Sequence, residues 1–202
     1  MSAGLWIAAA YLVGAIPTSY LAGRLGRGID LREHGSGTLG ATNAFRMLGW
    51  KYAIPVGLFD MAKGAAPVAL VERWSHGAAW LPVAVGAAAV AGHVFSPYVR
   101  FKGGKGVATA AGMFLALAPL AIAISSGIWC GVLWLSGYVS VASLVAVGMF
   151  PVWARLTRPD DPYTFWASVA LALLIGVAHR SNIRRLLAGT ESRFRTRRGA
   201  AA

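Results

Sequence analysis

The sequence predicts an all-α integral membrane protein. It reads as a polytopic bundle of about seven transmembrane helices, some short, with the N-terminus outside and the C-terminus cytoplasmic. Three observations lead there. Of 202 residues, 57% are hydrophobic and only 13% charged, whereas soluble domains carry about 25% charged residues. Apolar runs near the ~20 residues needed to span a bilayer recur along the chain. Nineteen Lys and Arg outnumber seven Asp and Glu, for a net charge of +12, and they gather between the apolar runs.

Taken in order, the spans are 3–23, 53–72, 77–99, 107–136, 138–157 and 163–179. The first has no charged n-region and reads as a retained helix, not a cleaved signal. The fourth is apolar throughout but has Pro119 near its middle. One helix of that length would reach about 45 Å, too long for one ~30 Å hydrocarbon core. Charge decides how it is traversed. The segments 24–51 and 100–106 and the tail from Arg180 hold 15 of the 19 basic residues, and all three are placed in the cytoplasm. Returning from 106 to 180 on the same side needs an even number of crossings. Segment 107–136 is therefore expected to enter and come back as two short helices hinged near Pro119, one of them incomplete. Arg73, Arg155 and Arg158 fall on the other side and count against this scheme. Residues 1–192 form a single transmembrane domain and 193–202 a basic cytoplasmic tail.

Composition also removes some functions. The basic residues do not sit on a soluble face with interleaved aromatics, so loops and anionic headgroups account for them and no nucleic acid partner is expected. Cys130 is alone, which leaves no internal disulfide. The four histidines, at 34, 76, 93 and 179, show neither HExxH nor a close pair, so no metal site is expected.

Three polar motifs remain. Gly35-Ser36-Gly37-Thr38-Leu39-Gly40 contains G-x-G-x-x-G, but it follows a polar stretch and not a strand, so the dinucleotide reading fails. What is left is a loop of small residues and hydroxyls running through Thr42 and Asn43 to a fixed cation, Arg46. The second, Phe101-Lys102-Gly103-Gly104-Lys105-Gly106, sets two lysines among glycines at a membrane end. It is not a Walker loop, because Gly106 stands where Ser or Thr is required. Glycines let backbone N–H groups close on an anion, and lysines supply charge. The third runs from His179 through Asn182 to Glu191, and on a helix His179 and Asn182 share a face. The parity argument brings Ser140 and Ser143 to the same cytoplasmic side. His93 fits either a structural helix-end histidine or a proton carrier. Asp60 and Lys63, three apart within a span, fit either a pair bordering the site or a lock between helices.

These motifs, GSGxxGATNxxR at 35–46, GHxFxPxxxFKGGKGVAT at 92–109 and HRxNIxRLLxGTE at 179–191, resemble the bacterial acylphosphate-dependent glycerol-3-phosphate acyltransferase family (PlsY) over nearly the whole chain. The sequence departs from the family's usual Asn at Thr38 and from a common acidic residue at Ser181. The resemblance implies a plasma-membrane acyltransferase of phospholipid synthesis. It would take acyl phosphate and glycerol 3-phosphate as substrates, beside membrane lipids, with no cofactor and no obligate protein partner. It implies catalytic roles for Ser36, Arg46, Lys105, His179 and Asn182. It implies substrate contacts for Thr42, Asn43, Lys102, Gly103, Gly104, Gly106, Ser140 and Ser143. No histidine has an Asp five residues on, unlike the His-x-x-x-x-Asp dyad of many acyl-CoA-dependent enzymes, so positioning and charge neutralisation are expected to carry the catalysis. The rival reading is a transporter of an organic phosphate. Against it, no internal repeat is evident and the motifs cluster at one face.

Overall fold

The structure, a computed structural model, describes residues 2–74 and 78–194. His76 and the tail cations Arg195, Arg197 and Arg198 lie outside the described residues. Among the described residues ten α-helices follow one another: α1 (Ala3–Gly14), α2 (Thr18–Arg27), α3 (Ala41–Leu48), α4 (Trp50–Trp74), α5 (Trp80–Val94), α6 (Val107–Leu117), α7 (Pro119–Ser136), α8 (Val139–Thr157), α9 (Pro162–Ala178) and α10 (Arg180–Leu187). Five spans are long and apolar enough to cross a membrane, counting Ala3–Arg27 as one, and six with the bent pair α9–α10.

Breaks in the spans are tied by side chains. Between α1 and α2 the carbonyl of Ala15 accepts from Ser96 Oγ (2.6 Å) and that of Ile16 from Lys63 Nζ (2.8 Å). The expected break near Pro119 falls at Ala118, and Arg158 donates to the Leu117 carbonyl beside it (2.7 Å). Backbone groups freed inside a membrane need such partners. One of the three cations that counted against the topology therefore has a structural post. Of the two short helices expected here only α6 is short, its 11 residues reaching about 16 Å, roughly half a hydrocarbon core, whereas the 18 residues of α7 are enough to cross.

Glycines let the helices cross closely. A Cβ on Gly14 or Gly92 would overlap backbone across the α1–α5 crossing, and one on Gly64 or Gly112 would do so between α4 and α6. Small residues are the usual device where lipid offers no hydrophobic drive between helices. The largest core joins Val68, Val90, Met113, Phe114, Phe150 and Ile175, from α4 to α9. A second, around Leu31, Leu39, Leu48, Val56 and Val99, seats the 29–48 segment on α4.

Part of the first motif is helical, contrary to the loop expected from its small residues. Thr42, Asn43 and Arg46 lie on α3, which buries Asn43, Ala44 and Leu48. Its amphipathic face packs on α4, and that tertiary contact outweighs weak local propensity.

Candidate active site

The first motif is ordered by two buried polar hubs. Asp30 clamps Arg32 through its guanidinium (2.6 Å) and its N–H (3.0 Å). Those hydrogen bonds, against the pull of burial, hold its carboxyl down at about 2. Asn43 donates to the carbonyls of Leu31 (2.9 Å) and His34 (3.0 Å) and accepts from the Ser36 N–H (2.9 Å). The loop is thereby drawn over α3, and the Ser36 and Thr38 hydroxyls lie 2.9 Å apart. Asn43 thus spends most of its hydrogen-bonding capacity on the loop itself.

The second motif is folded back on the end of α5. Arg100 and Phe101 both take left-handed backbone, at φ 56° and 60°, a strained pair for non-glycine residues. Gly103 N–H then donates to the Val94 carbonyl (3.2 Å) and Gly104 N–H to that of His93 (3.0 Å). A Cβ on Gly104 would overlap the His93 ring and the Leu39 carbonyl. Gly106, at φ 84°, turns the chain into α6. These glycines are needed for close packing, whatever else they do. Lys102 is exposed and does not line the cavity described next.

Ser36, Thr42, Asn43, Arg46, Lys105, Gly106, Ser140, Ser143, His179 and Asn182 all line one cavity of about 720 Å³. Gly106 opens α6 and Val139 opens α8, and both border this cavity. The far walls are apolar, with Phe114, Ile122, Phe150 and Leu171 among them. Phe150 lies ten residues past Ser140 on α8, roughly 15 Å along the helix. One end is cationic and the other suits hydrocarbon.

The third motif supplies a hub that sequence reasoning quoted but left without a role, Glu191. Its side chain is 3% exposed. It accepts from Ser140 Oγ (2.9 Å), Asn182 Nδ2 (2.6 Å) and Arg185 Nε (2.6 Å). Burial opposes its charge, but the donors outweigh burial and hold its pKa below the usual range. The signal was present: Glu191 is one of only seven acids, set in a basic segment. His179 pairs its Nδ1 with the Ile175 carbonyl (2.8 Å), leaving Nε2 as the other ring nitrogen. Trp129 donates to Ser143 Oγ (3.1 Å).

The chain beyond α10 runs along the cavity, with Glu191 and Phe194 in its lining. Ser192 O accepts from Arg46 (3.1 Å), Phe194 N–H donates to Gly137 O (2.7 Å), and the Phe194 ring packs on Phe45 and Trp50. Burial pushes Lys105 down to about 8, with Arg185 and Arg46 adding to the effect and Glu191 opposing it. Burial lowers Arg46 as well, yet a guanidinium stays protonated. Two cations are thus held partly desolvated in one cavity, where an anion would bind strongly.

Fold and site together define a polytopic membrane protein whose cavity joins a cationic, hydroxyl-lined head to an apolar body. The glycerol-3-phosphate acyltransferase family model matches residues 4–189. A glycerol-3-phosphate acyltransferase of Trichlorobacter lovleyi is 46% identical over 199 residues, covering 96% of this chain and all of that one. One from Chlorobium luteolum is 40% identical, covering 93% and 94%. The crystal structure of PlsY, an integral membrane glycerol 3-phosphate acyltransferase, superposes in its glycerol 3-phosphate form with a TM-score of 0.91. That protein is 36% identical, with 97% of each chain covered. Its lysophosphatidic acid form gives 0.88. The chain belongs to the glycerol-3-phosphate acyltransferase family.

Proposed function

We infer that this protein transfers a fatty acyl group from acyl phosphate to glycerol 3-phosphate, releasing phosphate and forming lysophosphatidic acid. The observation that carries the reading is one cavity with two partly buried cations at its head and hydrocarbon-lined walls below. Both substrates carry a phosphate and the donor also carries a chain, so each part of the cavity has a matching part of substrate. Related proteins of known activity span the same length of chain.

The residues divide as follows. Lys105 and Arg46 neutralise phosphate, with the hydroxyls of Ser36 and Ser143 as further partners and Thr42 beside them. His179 and Asn182 orient the glycerol moiety. Gly106 and the N–H groups at the start of α6 lie where the donor's phosphate would approach a helix N-terminus. Ser140 contributes through Glu191, and Gly103 and Gly104 by holding the loop. Lys102, exposed and absent from the cavity lining, serves headgroups. The acceptor hydroxyl attacks the acyl carbon, an ester C–O bond forms, and the bond to phosphate breaks. The departing phosphate takes the hydroxyl proton. No protein base is required, and preorganised charge lowers the barrier.

Counting α6 as a short segment gives seven membrane segments, with the N-terminus outside and the cavity head facing the cytoplasm. The basic segments 24–51 and 100–106 and the C-terminal region support that orientation. Protein purified in detergent and given acyl phosphate and glycerol 3-phosphate should form lysophosphatidic acid and inorganic phosphate in equal amounts. Absence of product, with uptake of phosphate esters by liposomes carrying the protein, would favour the transporter instead.

A further inference from the structure

Asp60, Lys63 and His93 form a buried cluster that the reaction above does not use. Asp60 and Lys63 lie on α4 at 1% and 2% exposure. Asp60 Oδ1 accepts from Thr18 Oγ1 (2.6 Å) and sits 2.8 Å from Lys63 Nζ. Lys63 also donates to the Ile16 carbonyl at the break between α1 and α2. The same Asp60 oxygen lies 3.6 Å from His93 Nδ1. The far side of the His93 ring is packed under Gly104, and its carbonyl accepts the Gly104 N–H. Lys105 is the next residue.

A lock between helices would account for Thr18, Asp60, Lys63 and Ile16. It would not require His93 between Asp60 and Gly104, nor Asp60 and His93 on the cavity wall, where both lie. Stability alone is a weak reason for such a cluster, because replacing a buried ion pair with apolar residues is often neutral or stabilising. What the cluster does is seat one short loop. Thr18 and Lys63 hold the Asp60 carboxylate, the carboxylate faces the imidazole, and the imidazole is the floor on which Gly104 rests. We propose that Asp60, Lys63 and His93 are positioning residues that set where the Lys105 ammonium meets substrate phosphate. The inference rests on the reading of Lys105 as a phosphate ligand. Misplacement of a catalytic contact by about 1 Å can cost about a hundredfold, so a modest shift of this floor is enough to register.

The test is ligand binding, which inactive variants still report. Glycerol 3-phosphate and a non-transferable acyl phosphonate are titrated calorimetrically into detergent-purified protein, beside a melting curve for each variant. Lys105→Met identifies which ligand Lys105 holds. Asp60→Asn combined with Lys63→Met removes both charges and strands neither. It should weaken that same ligand about tenfold or more, with a fall in Tm limited to what the Ile16 carbonyl loses with Lys63. Adding it to Lys105→Met should weaken binding no further, since both changes act through one ammonium. His93→Ala should weaken the same ligand, with partial recovery in His93→Gln. The His93 pair carries the test if the paired variant does not fold. Wild-type affinity in the paired variant or in His93→Ala would overturn the proposal, as would losses that add to that of Lys105→Met. Those results leave acyl transfer standing. Wild-type protein that binds neither ligand would remove both readings.

Discussion

If the Lys105 ammonium binds phosphate, its charge should be visible in the pH profile. Burial sets its pKa at about 8 in the empty protein. Lys105 is then about nine-tenths protonated at pH 7 and about one-tenth at pH 9. A phosphate monoester has its second pKa near 6, so the substrate adds no limb above about pH 7. The expected result is that kcat/KM falls about tenfold per pH unit above 8, because that ratio reports the free enzyme. Bound anion favours the ammonium, so the corresponding limb in kcat moves to higher pH. Stability moves the opposite way. The folded pKa lies below the unfolded value, so folding is penalised below about 8, and the penalty disappears as pH rises from about 8 to the ordinary lysine value. The unliganded protein should therefore melt higher over the range in which it binds worse. Initial rates of lysophosphatidic acid formation between pH 6 and 10, corrected for spontaneous hydrolysis of the donor, measure the first effect. Lys105→Arg keeps its charge throughout and should lose the limb, at the cost of a lower kcat from changed donor geometry. A limb that persists in Lys105→Arg, or none below pH 10 in the wild type, would refute the argument.

Glu191→Gln replaces a buried carboxylate that accepts three hydrogen bonds and faces Arg185. Its expected cost is about 3 kcal/mol, a fall of roughly 5–10 °C in Tm, with most activity lost. An unchanged Tm in detergent would remove Glu191 as the hub. Gly104→Ala places a methyl group against the His93 ring and the Leu39 carbonyl. It should lower kcat/KM by about a hundredfold, and a variant with normal kinetics would show that the loop has slack. At the deep end of the cavity the Phe114 and Phe150 rings meet with centroids 4.4 Å apart. Phe150→Ala should destabilise by about 3–5 kcal/mol and shift preference toward longer acyl chains. Competition between acyl phosphates of different length measures this, and an unchanged product ratio would move the floor elsewhere.

Much of this protein follows from composition and order alone. Runs of apolar residues must become helices in lipid, since every backbone N–H and C=O has to be satisfied within the segment. Charge asymmetry supports an order for them, and Pro119 marks a break because a proline nitrogen has no hydrogen to donate. The roles expected for Ser36, Arg46, Lys105, Ser143, His179 and Asn182 came from the family resemblance of their motifs, and these six meet in one cavity. Tertiary structure decided what local pattern does not encode. Lys102 and Lys105 look alike in FKGGKG, yet one is exposed and the other lines the cavity, because the loop folds back on the end of α5. Asn43 became an organiser of its loop, and α3 formed where the small residues read as loop. Glu191 became a hub only once α8 and α10 met around it. These outcomes depend on contacts that local periodicity does not encode, from the 7 to 12 residues that separate Asn43 from its partners to the 51 between Ser140 and Glu191, and the energy of such a contact exists only after the chain has folded to make it.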